Sequence, residues 1–417
     1  MKRRDFLKGA AGFWVAGVAR GYGQDKSPNA KLNVAVVGVA GMRGADHLKN
    51  LAGENIVALC DVDATFLGKA AEKLPKASTW ADFREMLEKD KSIDAVCVST
   101  PDHLHAPIGM AAMKAGKHLY SEKPLSHSIY EARVMRELAS SKKLATQMGT
   151  QIHAGDNYRR VVELIQAGAI GKVTDVHVNL GGVRWTAGGW PKDDPLPPTL
   201  SWDLWTGPAA ERPFSKGFHP TGWRKYWNYG GGDLADMGCH HIDLPFWALG
   251  LKVPKTCVAE GPPVNEVGGP PWLKVTWDFG DVKVHWTHGE QKPEIFSQDR
   301  LKWNSGNCFV GEKGMLFADY NNLKLWPEEK FIDFEAPKKS IPSSPGHHNE
   351  WIAACKGGPP ALCNFDYAGL LTECVLLGNV AYRSGKKIEW DSAALKAKNC
   401  PEADAFLRRE YRKGWTL

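Results

Sequence analysis

Three residues of this 417-residue chain have the types and spacing that acid–base chemistry needs. Lys123 follows the apolar run 118–121, which predicts a short buried strand, and Pro124 comes directly after it. A lysine at the carboxyl end of a strand lies where open α/β sheets bind their ligands. Asp236 and His240 are four residues apart and so share one face of a helix, where the carboxylate can orient the imidazole. We predict that these three residues are catalytic.

Other interpretations of the Asp236–His240 pair remain open. The aspartate could cap a helix beside a structural histidine, or the two residues could bind a metal, although no third ligand stands at suggestive spacing. Cys239 could be a nucleophile, but a small packing residue is the interpretation we favour. No C-x-x-C occurs among the nine cysteines, so we expect neither a metal site nor a disulfide framework. The pair His347-His348 is expected in a loop.

A glycine-rich turn follows the first apolar strand, which ends at Val37. The turn runs from Gly38 to Gly44 and leads into a helix predicted over 45–51, which is the context of a dinucleotide-binding fingerprint. Ala40 stands where the fingerprint has its second glycine, and Gly44 comes one residue late. The helix N-terminus would favour the charge of a pyrophosphate.

Asp61 ends the next predicted strand, 56–60. An acidic residue at this place can accept both ribose hydroxyls of an adenosine and would repel a 2′-phosphate, which favours NAD over NADP. Asp61 could instead cap a helix, although Asp63 is the better candidate for capping the helix predicted over 64–74.

Strands and helices alternate up to residue 150, which predicts an NAD-binding domain over 24–150 with a doubly wound parallel sheet. Alternating strand-like runs in 151–417 predict a second, α+β domain for substrate binding and oligomerisation. Its antiparallel sheet would have helices on one face and the other face open. The insert 181–230 is dense in Gly, Pro and Trp, and we expect it to be functional.

The composition is that of an ordinary globular protein, with 43% apolar and 24% charged residues. Seventeen tryptophans can either build a core or stack on sugar rings. The formal net charge of +6 comes largely from residues 1–23, and no basic patch with interleaved aromatics follows, so we expect no nucleic-acid partner.

Residues 1–23 are predicted to be an export signal. Arg3 and Arg4 begin a stretch that resembles the twin-arginine signature, and the apolar region after it is too short for a normal transmembrane helix. We therefore expect a periplasmic or otherwise exported protein with no membrane association beyond export. Twin-arginine export carries folded proteins, often with a cofactor already bound.

Together these motifs resemble the Gfo/Idh/MocA family of sugar oxidoreductases. The motifs that carry the likeness are the glycine turn, Asp61, Thr100-Pro101 with His105, Glu122-Lys123-Pro124, Asp236 with His240, and the segment 160–173. The resemblance implies a Rossmann domain with NAD(P), an open-faced sheet domain, a carbohydrate or polyol substrate, and a homo-dimer or homo-tetramer formed through that sheet.

Individual residues follow from the resemblance and from their neighbourhood in the sequence. Lys123 matches the lysine near the reacting hydroxyl, and Asp236 and His240 match the family's Asp/His pair. We expect His240 to take the proton of the hydroxyl, Asp236 to orient His240, and Lys123 to polarise the oxygen. Whether Lys123 or His240 takes the proton stays open at this point. The expected cofactor-binding residues are Gly38, Ala40, Gly41, Met42, Arg43, Asp61, Thr100, Pro101, His105, Glu122, Lys123 and Gln151. The expected substrate-binding residues are His153, Arg159, Trp185, His219, Trp223, Arg224, Tyr226 and Trp227.

The predicted export narrows the kinds of reaction that we expect the protein to catalyse. No free NAD pool exists outside the cytoplasm, so the cofactor would be bound tightly and recycled in a redox-neutral reaction. We expect a glycosidase that oxidises the sugar 3-hydroxyl transiently, eliminates the group on carbon 1, adds water and reduces the ketone again. The alternatives are a sugar dehydrogenase or sugar–sugar oxidoreductase, and a secreted sugar-binding protein without turnover.

Overall fold

The computed structural model describes residues 30–289, 292–297 and 303–417. The export signal predicted for residues 1–23 lies outside the described residues. None of the helices in the described ranges has the length and apolarity that crossing a bilayer requires. All nine cysteines are free thiols in the structure.

The first sheet is six-stranded and parallel, in the order β3-β2-β1-β4-β5-β6, which confirms the doubly wound prediction. Its central strands β1 and β4 are almost entirely buried because helices cover both faces. The strands are β1 Asn33–Val37, β2 Asn55–Cys60, β3 Ser78–Trp80, β4 Ala95–Val98, β5 His118–Ser121 and β6 Thr146–Met148. The helices are α1 Gly41–Asn50, α2 Ala64–Lys73, α3 Phe83–Lys89, α4 Asp102–Lys114 and α5 Ile129–Ser141.

Two of these helices begin earlier than their sequence pattern predicted. Helix α1 begins at Gly41, inside the glycine turn. The sequence pattern predicts the second of them over 106–115, but α4 begins at Asp102, directly after Pro101. Helix α2 begins where we expected, because the Asp63 carboxylate accepts a hydrogen bond from the Thr65 N–H at 2.9 Å. The early starts bring helix N-termini to the carboxyl ends of β1 and β4.

The second sheet has nine strands, in the order β13-β12-β11-β7-β10-β9-β8-β14-β15. It is mixed rather than fully antiparallel, because β7 and β10 pair in parallel. We did not predict β11, β12, β14 or β15. The strands are β7 Val173–Leu180, β8 Thr256–Glu260, β9 Leu273–Asp278, β10 Lys283–His288, β11 Gly306–Gly311, β12 Gly314–Ala318, β13 Leu323–Trp326, β14 Ile388–Asp391 and β15 Lys396–Ala397.

The helices of this half include α12, which has 20 residues and packs against β8 and β9. The pair His347-His348, expected in a loop, opens a helix and is buried. The α-helices are α6 Asp156–Gln166, α7 Trp202–Thr206, α8 Gly232–His241, α9 Asp243–Ala248, α10 Glu294–Ser297, α11 His347–Cys355 and α12 Phe365–Ser384. Short 3₁₀ helices are Gln151–Ala154, Gly222–Lys225, Glu328–Phe331 and Pro401–Phe406.

The insert 181–230 builds a small aromatic core of its own. Trp202 stacks on Trp205 with ring centroids 4.5 Å apart, and Trp190 stacks on Tyr226 at 5.6 Å. Phe218 lies edge-on to Tyr226 at 4.9 Å. Burial of large aromatic rings supplies much of the stability available to a segment with little regular structure. Four of the six tryptophans in this insert therefore belong to its aromatic core.

A buried ion pair joins the two halves of the molecule. The Arg133 guanidinium of α5 donates two hydrogen bonds to the Glu373 carboxylate of α12, both at 2.8 Å. The two side chains are 9% and 4% exposed, so the pair is shielded from solvent. Removing one partner would leave the other charge buried without compensation.

We predict that Glu373→Ala lowers the free energy of unfolding by about 3–5 kcal/mol, the usual cost of breaking a buried ion pair. The measurement is urea unfolding followed by circular dichroism. Glu137→Ala, on the exposed side of the same helix α5, is the control and should change stability little. Equal unfolding curves for the two variants would contradict this role for the pair.

Candidate active site

A cleft of about 1090 Å³ lies at the carboxyl ends of β1, β4 and β5, between the two halves of the molecule. Every residue that the sequence analysis assigned to the cofactor lines it: Gly38, Ala40, Gly41, Met42, Arg43, Asp61, Thr100, Pro101, His105, Glu122, Lys123 and Gln151. Parallel strands bring their carboxyl ends to one edge of a sheet, so residues far apart in sequence meet here.

The glycine turn leaves room for a ligand against the backbone. Gly38 has φ +85°, and a Cβ there would lie 2.9 Å from the carbonyl carbon of Ser99. A Cβ on Gly44 would lie 2.4 Å from the carbonyl carbon of Val39, so this glycine allows α1 to pack closely on the turn. The side of Gly41 is open space. The first N–H groups of α1 therefore face the cleft and suit a phosphate.

Asp61 lies at the end of β2 and is held by the backbone. Its carboxylate accepts hydrogen bonds from the N–H groups of Val39 and Asp63, both at 3.0 Å. Burial raises the pKa of Asp61 to about 6, against the lowering effect of those hydrogen bonds. Asp63 caps α2, so the capping alternative for Asp61 does not hold.

Lys123 and Asp236 form a buried ion pair across the cleft wall. The Lys123 Nζ lies 2.6 Å from Asp236 Oδ1 and also donates to the Asp236 carbonyl oxygen. The lysine follows β5 and the aspartate lies in α8, so the pair joins the two halves at the site. Burial raises the pKa of Asp236, but Lys123 and Arg224 together hold it well below its ordinary value.

Two residues of the insert complete the shell of Asp236. The Trp185 indole donates to Asp236 Oδ2 at 2.6 Å, and the Arg224 Nε lies 3.4 Å from Oδ1. The Arg224 guanidinium also lies over the Trp223 ring, 4.2 Å from its centroid. Both carboxylate oxygens are thus occupied, and within the described ranges no hydrogen bond joins them to His240. Asp236 therefore orients Lys123 rather than the imidazole we expected it to orient.

His240 lines the cleft one helical turn after Asp236 and is 8% exposed. Burial lowers the pKa of His240 well below its usual value, and Lys123 and His241 lower it further. Its Nδ1 is buried and has no hydrogen-bond partner among the residues that the structure describes. The neutral imidazole can accept a proton at neutral pH.

Glu122 precedes Lys123 in the sequence and also lines the cleft. Its Oε1 accepts a hydrogen bond from Gln151 at 2.8 Å and lies 3.4 Å from His47 Nε2, and its Oε2 lies 3.7 Å from Arg43. A Cβ on Gly149 would lie 2.5 Å from this carboxyl group, so the glycine makes room for it. Burial raises the pKa of Glu122 to about 7.

His105 acts as a brace at the edge of the cleft. Its Nδ1 lies 2.7 Å from the carbonyl oxygen of Pro124, and its Nε2 lies 2.9 Å from that of Thr100. The ring joins the segments that follow β4 and β5 and so positions Lys123.

The substrate-binding predictions divide in two. Trp185, His219, Trp223 and Arg224 line the cleft, but His153, Arg159, Tyr226 and Trp227 do not. The structure brings these last four into other contacts instead. Tyr226 belongs to the aromatic core of the insert, and the Trp227 indole donates to the carbonyl oxygen of Asn265 at 2.8 Å.

His153 and Arg159 lie away from the cleft because each is paired with a residue distant in the sequence. The His153 Nδ1 lies 2.9 Å from Asp243 Oδ1, and its ring stacks on Trp247 with centroids 4.0 Å apart. Arg159 donates to Glu350 at 2.6 Å. Both side chains are buried in structural contacts behind the cleft.

Sequence reasoning missed several residues that line the cleft, among them Asp102, Tyr320 and Trp415. Asp102 follows Thr100-Pro101 at the end of β4, and the same rule that singled out Lys123 could have found it. Tyr320 and Trp415 carry no local signal, because tertiary packing alone brings them to the site.

The insert and the chain end form a roof over the Asp61 end of the cleft. The Ala64 N–H donates to the Thr199 carbonyl, and the Ser201 N–H donates to that of Val62, both at 2.9 Å. Trp205 and His219 of the insert line this end. His219 therefore lies beside Asp63, 3.5 Å from its carboxylate.

Arg412 fastens the chain end to the insert. Its guanidinium donates to the carbonyl oxygens of Gly207 at 2.5 Å and Asp203 at 2.6 Å and lies 2.7 Å from the Asp203 carboxylate. Trp415, three residues later, lines the cleft and packs on Phe83, with ring centroids 6.1 Å apart. We call this layer, residues 199–223 with 412–415, the roof.

No cluster of metal-ligating side chains that could hold an ion occurs within the described ranges.

Curated relatives fall into two functional groups. The chain is 31% identical over 155 residues to inositol 2-dehydrogenase of Salmonella typhimurium, covering 35% of this chain and 45% of the relative. It is 26% identical over 202 residues to a glycosyl hydrolase family 109 protein of Shewanella baltica, covering 41% of this chain and 44% of the relative. The matches thus span less than half of either relative.

Solved structures show the same fold over most of the chain. The dehydrogenase WlbA from Bordetella pertussis, solved in complex with NADH and UDP-GlcNAcA, superposes with a TM-score of 0.64 at 18% identity, covering 87% of this chain and 99% of WlbA.

Two family models match nearly all of the described chain. Residues 32–150 match the oxidoreductase family with an NAD-binding Rossmann fold, and residues 155–417 match the C-terminal alpha/beta domain of the same oxidoreductase family. The chain belongs to the Gfo/Idh/MocA oxidoreductase family and carries its NAD-binding Rossmann domain.

Proposed function

We propose that this protein is a carbohydrate-active enzyme that retains NAD and completes a redox-neutral reaction, the hydrolysis of a glycoside through transient oxidation of the sugar 3-hydroxyl. The observation that carries the proposal is the convergence of Lys123, Asp236 and His240 on one wall of a cleft whose other end is built for a dinucleotide. Similarity to a family 109 glycosyl hydrolase supports a glycosidase.

The chain offers a complete set of groups for the cofactor. The open side of Gly41 and the N-terminus of α1 suit the pyrophosphate, and the Asp61 carboxylate suits a ribose without a 2′-phosphate, which favours NAD over NADP. Glu122 and Gln151 would border the nicotinamide end. When bound, NAD supplies reversible hydride acceptance beside the sugar.

Proton handling falls to this chain's own residues. The buried imidazole of His240 is neutral and can take the proton of the sugar hydroxyl as that carbon is oxidised. The Lys123 ammonium, fixed by Asp236, can donate a hydrogen bond to the same oxygen and stabilise negative charge on it.

The proposed cycle depends on the position of the transient ketone. A ketone at carbon 3 acidifies the proton on carbon 2, which is adjacent to carbon 1 and its leaving group. Loss of that proton and of the aglycone gives an unsaturated ketone. Water then adds at carbon 1, carbon 2 regains a proton, and reduction of the ketone restores the sugar.

The roof supports retention of the cofactor. It covers the Asp61 end of the cleft through backbone hydrogen bonds to residues 62–64 and through Trp205 and Trp415. A dinucleotide bound beneath it could leave only after these contacts opened. A retained cofactor is what a redox-neutral cycle outside the cytoplasm requires.

A sugar dehydrogenase or a sugar–sugar oxidoreductase is the second candidate. The similarity to an inositol 2-dehydrogenase favours it. The same three residues would serve this reaction, so the product, rather than the site, separates the candidates. The presence of Lys123, Asp236 and His240 together at the cleft argues against a sugar-binding protein without turnover.

We expect the purified protein, with no NAD added, to release nitrophenol from at least one of a panel of α- and β-nitrophenyl glycosides. In deuterated water the sugar product should carry deuterium at carbon 2, detected by mass spectrometry, because that carbon loses and regains a proton. Lys123→Ala and His240→Ala should abolish both signals.

The control for these variants is Lys172→Ala, which changes an exposed lysine far from the cleft. A stable keto sugar that appears only with added NAD or an acceptor sugar would refute the glycosidase and support the second candidate. Binding of sugar with no turnover under any condition would refute both.

We predict that Arg412→Ala speeds the loss of bound NAD by about 10–100-fold, because hydrogen bonds to a charged group contribute about 1.5–3 kcal/mol each. The measurement is bound nucleotide after timed dialysis. Arg408→Ala, on the same segment but exposed and stacked on Tyr130, is the control. Equal retention in both variants would contradict a roof that holds the cofactor.

Export by residues 1–23 belongs to the same proposal, as does a dimer or tetramer formed through the nine-stranded sheet. We predict that changing both Arg3 and Arg4 to Lys keeps the protein in the cytoplasm, because twin-arginine recognition depends on the arginine pair. Fractionation of cells that express each form measures this. Unchanged export of the double variant would contradict it.

A further inference from the structure

Asp102 is a buried carboxyl group in the cleft that none of the roles above uses. It opens α4 directly after β4, lines the cleft, and is 5% exposed. Its position at a strand end follows the same topological rule that places Lys123 at the site. A carboxyl group is seldom buried this deeply unless it is paired or functional.

The surroundings of Asp102 combine charges from three other elements. Lys123 follows β5, Asp236 lies in α8, and Arg224 lies in the 3₁₀ helix of the insert. Besides burial, which raises the pKa of Asp102, the charges of Arg224 and Lys123 lower this pKa and the charge of Asp236 raises it. Burial raises the pKa of the Cys239 thiol in α8, and the charge of Asp102 adds to this. Asp102 also lines a second, smaller cavity together with His127 and Arg383.

Asp102 differs from the other carboxyl groups of the cleft in its bonding. Asp236 is bound by Lys123 and Trp185, and Glu122 is bound by Gln151. Within the described ranges no other side chain makes a hydrogen bond to the Asp102 carboxyl. It is therefore free to bond to a ligand in the cleft.

The two aspartates also differ in their protonation. Burial raises the pKa of Asp102 to about 7, although Arg224 and Lys123 oppose this. The pKa of Asp236 is held well below its ordinary value by the same two cations. Two carboxyl groups in one site with pKa values pushed apart is the usual arrangement of an acid and a permanent anion.

We propose that Asp102 is the general acid of the glycoside reaction and gives its proton to the glycosidic oxygen as the aglycone leaves. The inference rests on the proposed function. In the elimination, a base takes the proton from carbon 2, and the electron pair of that C–H bond forms the double bond to carbon 1. The electron pair of the breaking C1–O bond goes to the oxygen, which takes the Asp102 proton. When water adds to carbon 1, Asp102 recovers a proton from it.

The other titratable groups of the cleft are poorer donors of this proton than Asp102. His219 is held neutral by burial, which lowers its pKa, and a neutral imidazole is a very weak acid. The proton that His240 takes from the 3-hydroxyl must return to the same oxygen when the ketone is reduced. Lys123 is committed to Asp236. Asp102 carries a proton near neutral pH. Within the described residues, no other side chain makes a hydrogen bond to its carboxyl group.

The test compares glycosides whose aglycones differ in their need for a proton. A dinitrophenyl group leaves as a stable anion, whereas a methoxy group must be protonated. We expect Asp102→Asn to lower kcat/KM for the methyl glycoside by about 10²–10⁴-fold, the usual contribution of a general acid, and to leave that for the dinitrophenyl glycoside nearly unchanged. Asp102→Glu should recover part of the methyl glycoside activity.

The matched control is Glu122→Gln, which removes another buried cleft carboxyl whose pKa is raised to about 7. It should affect both glycosides equally, because its role is not at the leaving group. An equal loss on both glycosides in Asp102→Asn would overturn the proposal and leave the glycosidase function standing. Failure of the wild-type protein to cleave any glycoside would overturn both.

A second test needs no variant. A group that acts as an acid works below its pKa, so wild-type activity on the methyl glycoside should fall as the pH rises through about 7. Activity on the dinitrophenyl glycoside should not fall in this range. Parallel pH profiles for the two substrates would overturn the proposal even if the Asp102 variants failed to fold.

Discussion

The buried contact between Lys123 and Asp236 is the interaction on which the site depends. It joins the end of a parallel strand in one half of the molecule to a helix in the other, with both groups nearly removed from solvent. Two opposite charges at 2.6 Å in such surroundings are stable only as a pair, because either one alone would lose its hydration without compensation. The pair therefore fixes the distance between the two halves at the place where a substrate would bind.

Other parts of the chain converge on this pair. The insert sends Trp185 and Arg224 to the same carboxylate, and His105 braces the segment that carries Lys123. The result is one ionised aspartate surrounded by groups whose charge states burial has altered. Burial lowers the pKa of His240 and raises those of Asp61, Asp102 and Glu122, because it disfavours the charged form in each case. Asp236 departs from this pattern because two cations face it.

The aromatic insert has a different use from the one its composition suggested. Its tryptophans indicated a platform for sugar rings, but most of them pack in a core that the insert builds for itself. That core gives the segment a fixed shape and sets it over the Asp61 end of the cleft. Trp185 and Trp223 remain at the cleft, so the insert contributes both to the roof and to the substrate end.

The sequence by itself determined the parallel sheet, the glycine turn, the placement of Lys123, Asp236 and His240, and the full set of residues expected at the cofactor. These follow from local rules: hydrophobic period, turn residues, and the meeting of parallel strand ends at one edge. Only the tertiary structure decided which of the residues expected at the substrate face the cleft. His153 and Arg159 are buried against Asp243 and Glu350, and Trp415 comes from the chain end to line the site. Their partners lie 90 and 191 residues away for His153 and Arg159, and no local pattern encodes a pairing over such a separation.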